Sequence, residues 1–232
     1  GIYLGFFFSI ISSLLVFNFQ DFEINIIINI LITTIYYFFI GTLDDIFKIN
    51  PLNRLFLQFL GAIFVYINIV RIDSIGINFL DVLLDHFPLI WSLITIIWLV
   101  GITNALNWID GLDGLSSGIS VIICLSTLVF GISNGSGIII LFSASIIGSC
   151  LGFMKYNFYP SKVLMGDGGS YYLGISLSIL TLICNQVPSL ERINVENLYI
   201  KVKELLFSFF CYYYFLLNLL FISYMIKKKK MI

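Results

Sequence analysis

The chain has 232 residues, of which 59% are hydrophobic, 17% aromatic and only 11% charged, with a net charge of −1. A soluble domain carries about 25% charged and roughly 45–50% apolar residues, so composition excludes a water-soluble globule. It also excludes a disordered chain, which would be charge-rich and aromatic-poor, and the near-neutral charge supplies no basic field for nucleic acid. What remains is an all-α, polytopic transmembrane helix bundle, read as a single integral membrane domain over 1–232.

A membrane-crossing helix needs about 20 mostly apolar residues, and eight stretches qualify in chain order. The first, Ile2 to Phe17, is short and follows a Gly rather than a Met, so the chain is expected to lack its true N-terminus. Then come Ile24 to Leu43, Leu55 to Val70, Leu89 to Thr103, Leu115 to Ile132, Ile138 to Met154, Tyr171 to Val187 and Leu205 to Ile226. Polar, turn-forming segments join them, such as Asn134-Gly135-Ser136-Gly137. Cys124, Cys150, Cys184 and Cys211 lie in apolar runs at spacings that match no metal motif, and read as small buried hydrophobes. His86, the only histidine, sits beside Asp85 in a loop and reads as a surface residue.

Alternating spans divide the loops into two sets. One holds Lys48, Arg54, Lys155, Lys162 and the run Lys227 to Lys230; the other holds Arg71, Arg192, Lys201 and Lys203. The richer set is expected in the cytoplasm by the positive-inside rule. That set also contains Asp44, Asp45, Asp110, Asp113 and Asp167 and no Glu. Three separate helix ends thus deliver Asp, beside Gly or Asn, to one membrane face, as an oxygen-rich site for a metal and phosphates requires.

Each cluster has its own chemistry and a bland counterpart. Asp44-Asp45 ends the second span; adjacent carboxylates need a cation or firm hydrogen bonds, yet an interfacial cap reads equally well. After the fourth span, Asn104, Asn107 and Asp110 share a helix face at i, i+3, i+6 spacing, and two Asp-Gly units, through Asp113-Gly114, allow a tight turn. A plain turn would need only one of them. The third segment runs from Asn157 through Pro160 to Met165-Gly166-Asp167-Gly168-Gly169-Ser170. Its small residues let a phosphate approach the N–H groups opening the next helix, although the Lys-Ser/Thr of a Walker loop is missing.

Asp-Asp, then Asn-x-x-Asn-x-x-Asp-Gly-x-Asp-Gly, then Asn-x-x-Pro-(x)₄-Met-Gly-Asp-x-Gly-Ser resembles the polyprenyl-phosphate N-acetylhexosamine-1-phosphate transferases, from Gly1 to about Val187. The resemblance implies a bacterial cytoplasmic-membrane enzyme whose site faces the cytoplasm. A UDP-sugar would donate sugar-1-phosphate to a polyprenyl phosphate in the lipid bilayer and UMP would leave. The implied cofactor is Mg²⁺, with Mn²⁺ as the alternative ion, and a homodimer is an open expectation. Asp167 matches the metal ligand. Asp44, Asp45, Asp110 and Asp113 are the candidate catalytic residues, while Asn104, Asn107, Asn157, Lys48 and Arg54 are the candidate substrate-binding ones. Trp108-Ile109 before Asp110 is similar to the N-acetylglucosamine branch, since the phospho-N-acetylmuramoyl-pentapeptide branch usually has Thr there. The sequence departs from the family after Val187, where no histidine cluster follows; residues 188–232 are therefore expected to be a divergent tail from truncation or a frame shift. A cation transporter and an inactive remnant are the competing readings. Transporters place ionisable groups nearer the midplane.

Overall fold

The computed structural model describes residues 1–16, 19–72, 81 and 86–190. Seven α-helices and no strands occur among them: α1 Ile2–Val16, α2 Asp21–Phe47, α3 Pro51–Asn68, α4 Pro88–Ile109, α5 Leu115–Asn134, α6 Gly137–Asn157 and α7 Gly166–Leu190. The chain divides into two compact units, Gly1–Cys184 and Asn185–Ile232. Most of the second, including the expected span Leu205 to Ile226 and the tail, lies outside the described residues.

Local chemistry sets the helix ends. Glu23 Oε2 accepts the Gln20 N–H at 3.0 Å where α2 begins, and Asn50 Oδ1 accepts the Leu52 N–H ahead of Pro51 at the start of α3. Gly135, at φ 68°, closes α5 and turns the chain into α6, as Asn134-Gly135 predicts. Gly166, at φ 71°, opens α7.

Four helices, α2, α4, α5 and α6, are long and apolar enough to cross a membrane, and α1 contributes a shorter apolar helix. Large apolar side chains such as Phe8, Phe39, Leu93 and Val129 remain exposed on them, which suits lipid rather than water. The expected third and seventh spans are helical but fall outside that group. In α3 the reason is polarity: Asn53, Arg54 and Gln58 interrupt it.

In α7 it is the Gly, Ser, Asn and Gln along its length. Residues 170–180 are buried without a break, the mark of a helix enclosed on all sides. Neighbour contacts run α2–α3, α3–α4, α4–α5, α5–α6 and α6–α1, and Tyr3 stacks on Phe38 at 4.8 Å to join α1 to α2. Six helices thus surround α7. Thr127–Ser143 and Ser9–Ser145 hydroxyl pairs, at 2.8 and 2.9 Å, tie α6 to α5 and α1. Cys124, Cys150 and Cys184 are buried, as expected.

Two glycines let backbones touch α7. A Cβ on Gly174 would lie 2.6 Å from Thr103 Cα, and one on Gly41 would fall on the Asp167 and Gly168 backbone. We expect Gly174→Ala and Gly41→Ala each to cost about 1–3 kcal/mol as overpacking. Gly148→Ala, with open space around it, should gain about 0.5–1 kcal/mol from helix propensity. Thermal midpoints in detergent check this; equal midpoints for Gly174→Ala and Gly148→Ala would contradict it.

Candidate active site

Asp44 and Asp45 end α2 one residue apart, so a helical rotation of about 100° sends them in different directions. Asp44 is 6% exposed. Its Oδ2 meets Arg54 Nη1 at 2.8 Å and its Oδ1 accepts the Ile49 N–H at 2.9 Å, so it fixes the α2–α3 corner. Asp45 is exposed. Its carboxylate accepts the N–H groups of Asp167 at 3.0 Å and Gly168 at 3.2 Å.

This corrects one expectation. The α7 N-terminus does attract an anion, but the anion is the Asp45 side chain rather than a phosphate: the helix dipole and two unpaired N–H groups are neutralised from within the protein. Gly166 makes room, since a Cβ there would lie 2.8 Å from Asp45 Oδ2.

On α4, Asn104 and Asn107 face the same way, as the spacing predicts, and Asp110 is the cap that follows. Asn107 Nδ2 donates to Asp167 Oδ1 at 2.6 Å and to Ser170 Oγ at 2.9 Å. Both amide hydrogens are used, so its Oδ1 is the remaining function. Asp110 Oδ1 accepts the Ser116 hydroxyl at 2.5 Å. Burial pushes the Asp110 carboxyl up to about 6; the Ser116 bond opposes the rise, and the negative charges of Asp167 and Asp45 add to it. Asp167, ahead of the apolar run of α7, is also raised, by burial first and then by Asp44 and Asp45, against the Asn107 bond. Four carboxylates from α2, α4 and α7 therefore share one electrostatic neighbourhood with a single guanidinium, Arg54.

Two predicted residues hold the α6–α7 loop. Asp113 accepts from the Ser161 N–H at 3.0 Å and hydroxyl at 2.8 Å, anchoring the loop that contains the cis Tyr159–Pro160 bond. Asn157, 3% exposed, accepts from Gly114 N–H and donates to the Val163 carbonyl, both at 3.0 Å. Each shapes the α6–α7 loop: Asn157 is buried in it, and the exposed Asp113 carboxylate keeps acceptor positions open. Lys48 is exposed at the α2 C-cap, φ 49°, where its charge suits the helix dipole.

Sequence reading gave no separate role to Gln58, Ser116, Ser161 and Ser170, which hold Asn104, Asp110, Asp113 and Asn107. The available signal was Gln58, a polar residue inside the apolar run Leu55 to Val70, where polar groups seldom lack a purpose.

Among the described residues, no three acidic, histidine or cysteine side chains are grouped to hold a metal ion. The donors on offer are carboxylate and amide oxygens: Asp167, Asp110 and the Asn107 carbonyl. Hard oxygen donors with surplus negative charge fit Mg²⁺ better than a soft metal.

The Asp110 shift has a testable sign. A carboxyl raised above its unfolded value favours the native state most below about 4, and that contribution is lost as pH rises through about 6. In metal-free protein the thermal midpoint should fall between pH 5 and 7, with a smaller fall in Asp110→Asn. Parallel profiles would contradict the assignment.

A family model described as glycosyl transferase family 4 matches residues 27–185. The chain is 41% identical over 146 residues to a protein of Bacillus subtilis (strain 168) named "Probable undecaprenyl-phosphate N-acetylglucosaminyl 1-phosphate transferase", covering 62% of this chain and 40% of that one. It is 37% identical over 176 residues to a phospho-N-acetylmuramoyl-pentapeptide-transferase of Streptococcus uberis (strain ATCC BAA-854 / 0140J), covering 71% and 51%. A protein of the same name from Caldicellulosiruptor bescii is 34% identical over 196 residues, covering 75% and 61%. The chain spans about half the length of the curated relatives it matches.

Proposed function

The chain belongs to glycosyl transferase family 4, a multi-pass helical membrane protein, and we propose that it transfers N-acetylglucosamine-1-phosphate from a UDP-sugar to a membrane polyprenyl phosphate, releasing UMP. The observation that carries the reading is the convergence of Asp44, Asp45, Asp110 and Asp167 from three helix ends, joined by Asn107. Its site faces the cytoplasm of a bacterial inner membrane, which supports synthesis of a cell-envelope glycan.

In this reaction an oxygen of the lipid phosphate attacks the phosphorus bound to the sugar, and the bond from that phosphorus to the UMP oxygen breaks. All the reacting groups are anionic. Mg²⁺, when bound, would neutralise them and orient the diphosphate, and Asp167 with Asn107 Oδ1 would hold it. Asp44 keeps Arg54 at the corner of α2 and α3, where the guanidinium offers positive charge to phosphate. Asp45 is the exposed member of the pair and would be the one to meet the incoming lipid phosphate. Its hydrogen bonds to the α7 N-terminus hold it at the level of Asp167.

A second reading, transfer of phospho-N-acetylmuramoyl-pentapeptide, is favoured by the names of several relatives. Trp108-Ile109 ahead of Asp110 supports the N-acetylglucosamine substrate instead. Purified protein in detergent, given Mg²⁺, polyprenyl phosphate and sugar-labelled UDP-N-acetylglucosamine or UDP-N-acetylmuramoyl-pentapeptide, separates the two. Label should enter the lipid phase from the first donor; label from the pentapeptide donor alone would reverse the assignment, and none from either would sink both.

A further inference from the structure

Asn104 is held by a partner that no motif contains. Its Nδ2 donates to its own helix, to the Val100 carbonyl at 2.8 Å, and across to Gln58 Oε1 on α3 at 2.5 Å. The first bond fixes the amide's orientation, because a flipped Asn104 would set its carbonyl oxygen against that of Val100. The second fixes Gln58, whose oxygen must then face Asn104. With both hydrogens used, Asn104 offers only Oδ1, an acceptor. Asn104 is half-buried, so that oxygen is the part of the amide left for a ligand.

Gln58 gains little for itself. It is fully buried, and its Nε2 finds no hydrogen-bond partner, as is also true of Arg54 Nε one turn earlier and of Tyr171 Oη, whose ring lies 5.8 Å from the Arg54 guanidinium carbon. An apolar side chain of the same length would avoid the unpaired amide. Its backbone carbonyl accepts Tyr37 Oη at 2.6 Å, a bond that any residue would provide. The side chain therefore serves Asn104.

We propose that Gln58 is a positioning residue that locks the Asn104 amide with its carbonyl oxygen outward, so that Asn104 reads a hydrogen-bond donor, a hydroxyl or amide N–H of the sugar nucleotide, and not a phosphate oxygen. This rests on the UDP-sugar reading above. It separates the work of two neighbouring asparagines: Asn107 serves the charged centre around Asp167, and Asn104 serves the uncharged part of the donor.

The test is calorimetric binding of UDP-N-acetylglucosamine to the full chain in detergent, with transfer kinetics alongside, for wild type, Gln58→Met and Gln58→Glu. Methionine keeps the length and removes the acceptor. Glutamate keeps an acceptor for Asn104 and offers a second oxygen to Arg54 Nε. Gln58→Met should weaken UDP-sugar binding about tenfold or more and raise its KM in step, with kcat and the polyprenyl-phosphate KM within about twofold; Gln58→Glu should restore binding to within about threefold of wild type. A general structural role would instead lower kcat and shift both KM values, in both variants. That pattern, or unchanged binding in Gln58→Met, overturns the inference. Absence of binding in wild type overturns it too. Wild-type binding without transfer removes only the proposed reaction, and the binding series still decides the role of Gln58.

Discussion

Asp167→Asn should lower transfer about 10²–10³-fold while the protein stays folded. The carboxylate sits where α2, α4 and α7 meet, bonded to Asn107 and crowded by Asp44 and Asp45. An amide there can still accept from Asn107 Nδ2, so the local hydrogen-bonding survives. What is lost is the charge that would hold Mg²⁺ against the diphosphate, and removing one preorganised charge-stabilising group typically costs about 10²–10³ in rate. Stability should move the other way. With one negative charge fewer beside Asp44, Asp45 and Asp110, the metal-free variant should melt at or above the wild-type temperature, the usual opposition between site electrostatics and stability. Transfer rate and thermal midpoint are measured on the same preparations. A variant that loses its rate because it melts early would contradict this account.

Arg54→Ala should be the most destabilising change at the site. Asp44, 5% exposed at the side chain, would lose its guanidinium partner, itself 22% exposed. Leaving a buried carboxylate uncompensated costs roughly 3–5 kcal/mol in a fully buried pair, and the part-exposed arginine brings the expectation to about 2–3 kcal/mol. Asp44→Asn in the same chain should recover most of that stability, since the amide can still accept the Ile49 N–H without carrying charge. It should recover none of the activity, because positive charge for the phosphates remains absent. A double-mutant cycle on thermal stability measures the coupling, and additive losses would show that the pair is not energetically linked.

The spans and turns were readable because they depend on neighbours in sequence. Apolar length placed α1, α2, α4, α5 and α6, Asn134-Gly135 supplied the tight corner, and i, i+3 spacing put Asn104 and Asn107 on one face. The three aspartate segments were correctly brought to a common neighbourhood, because helices that alternate through a membrane return their alternate ends to the same side.

What the pattern could not reveal depends on residues far apart in the chain. Asp45 caps a helix 122 residues further on, and the different fates of Asp44 and Asp45 follow from the rotation of α2 against α3 and α7. The bonds of Asp113 and Asn157 to Ser161, Gly114 and Val163, which shape the α6–α7 loop, also lie beyond the motif pattern. Gln58 is invisible to motif reading because its partner is on another helix. The enclosure of α7 also escaped: Tyr171 to Val187 read as one more span, whereas its serines and tyrosines face other helices instead of lipid.

The most direct test of the proposed chemistry uses UDP-N-acetylglucosamine labelled both in the sugar and at the β-phosphate, with polyprenyl phosphate, Mg²⁺ and the wild-type chain in detergent. Sugar-1-phosphate transfer predicts that both labels enter the lipid phase in equal amounts and that UMP is the nucleotide released. Sugar label without phosphate, with UDP released, would contradict the account, because the bond broken would then be the glycosidic one and the carboxylate centre would serve a different reaction.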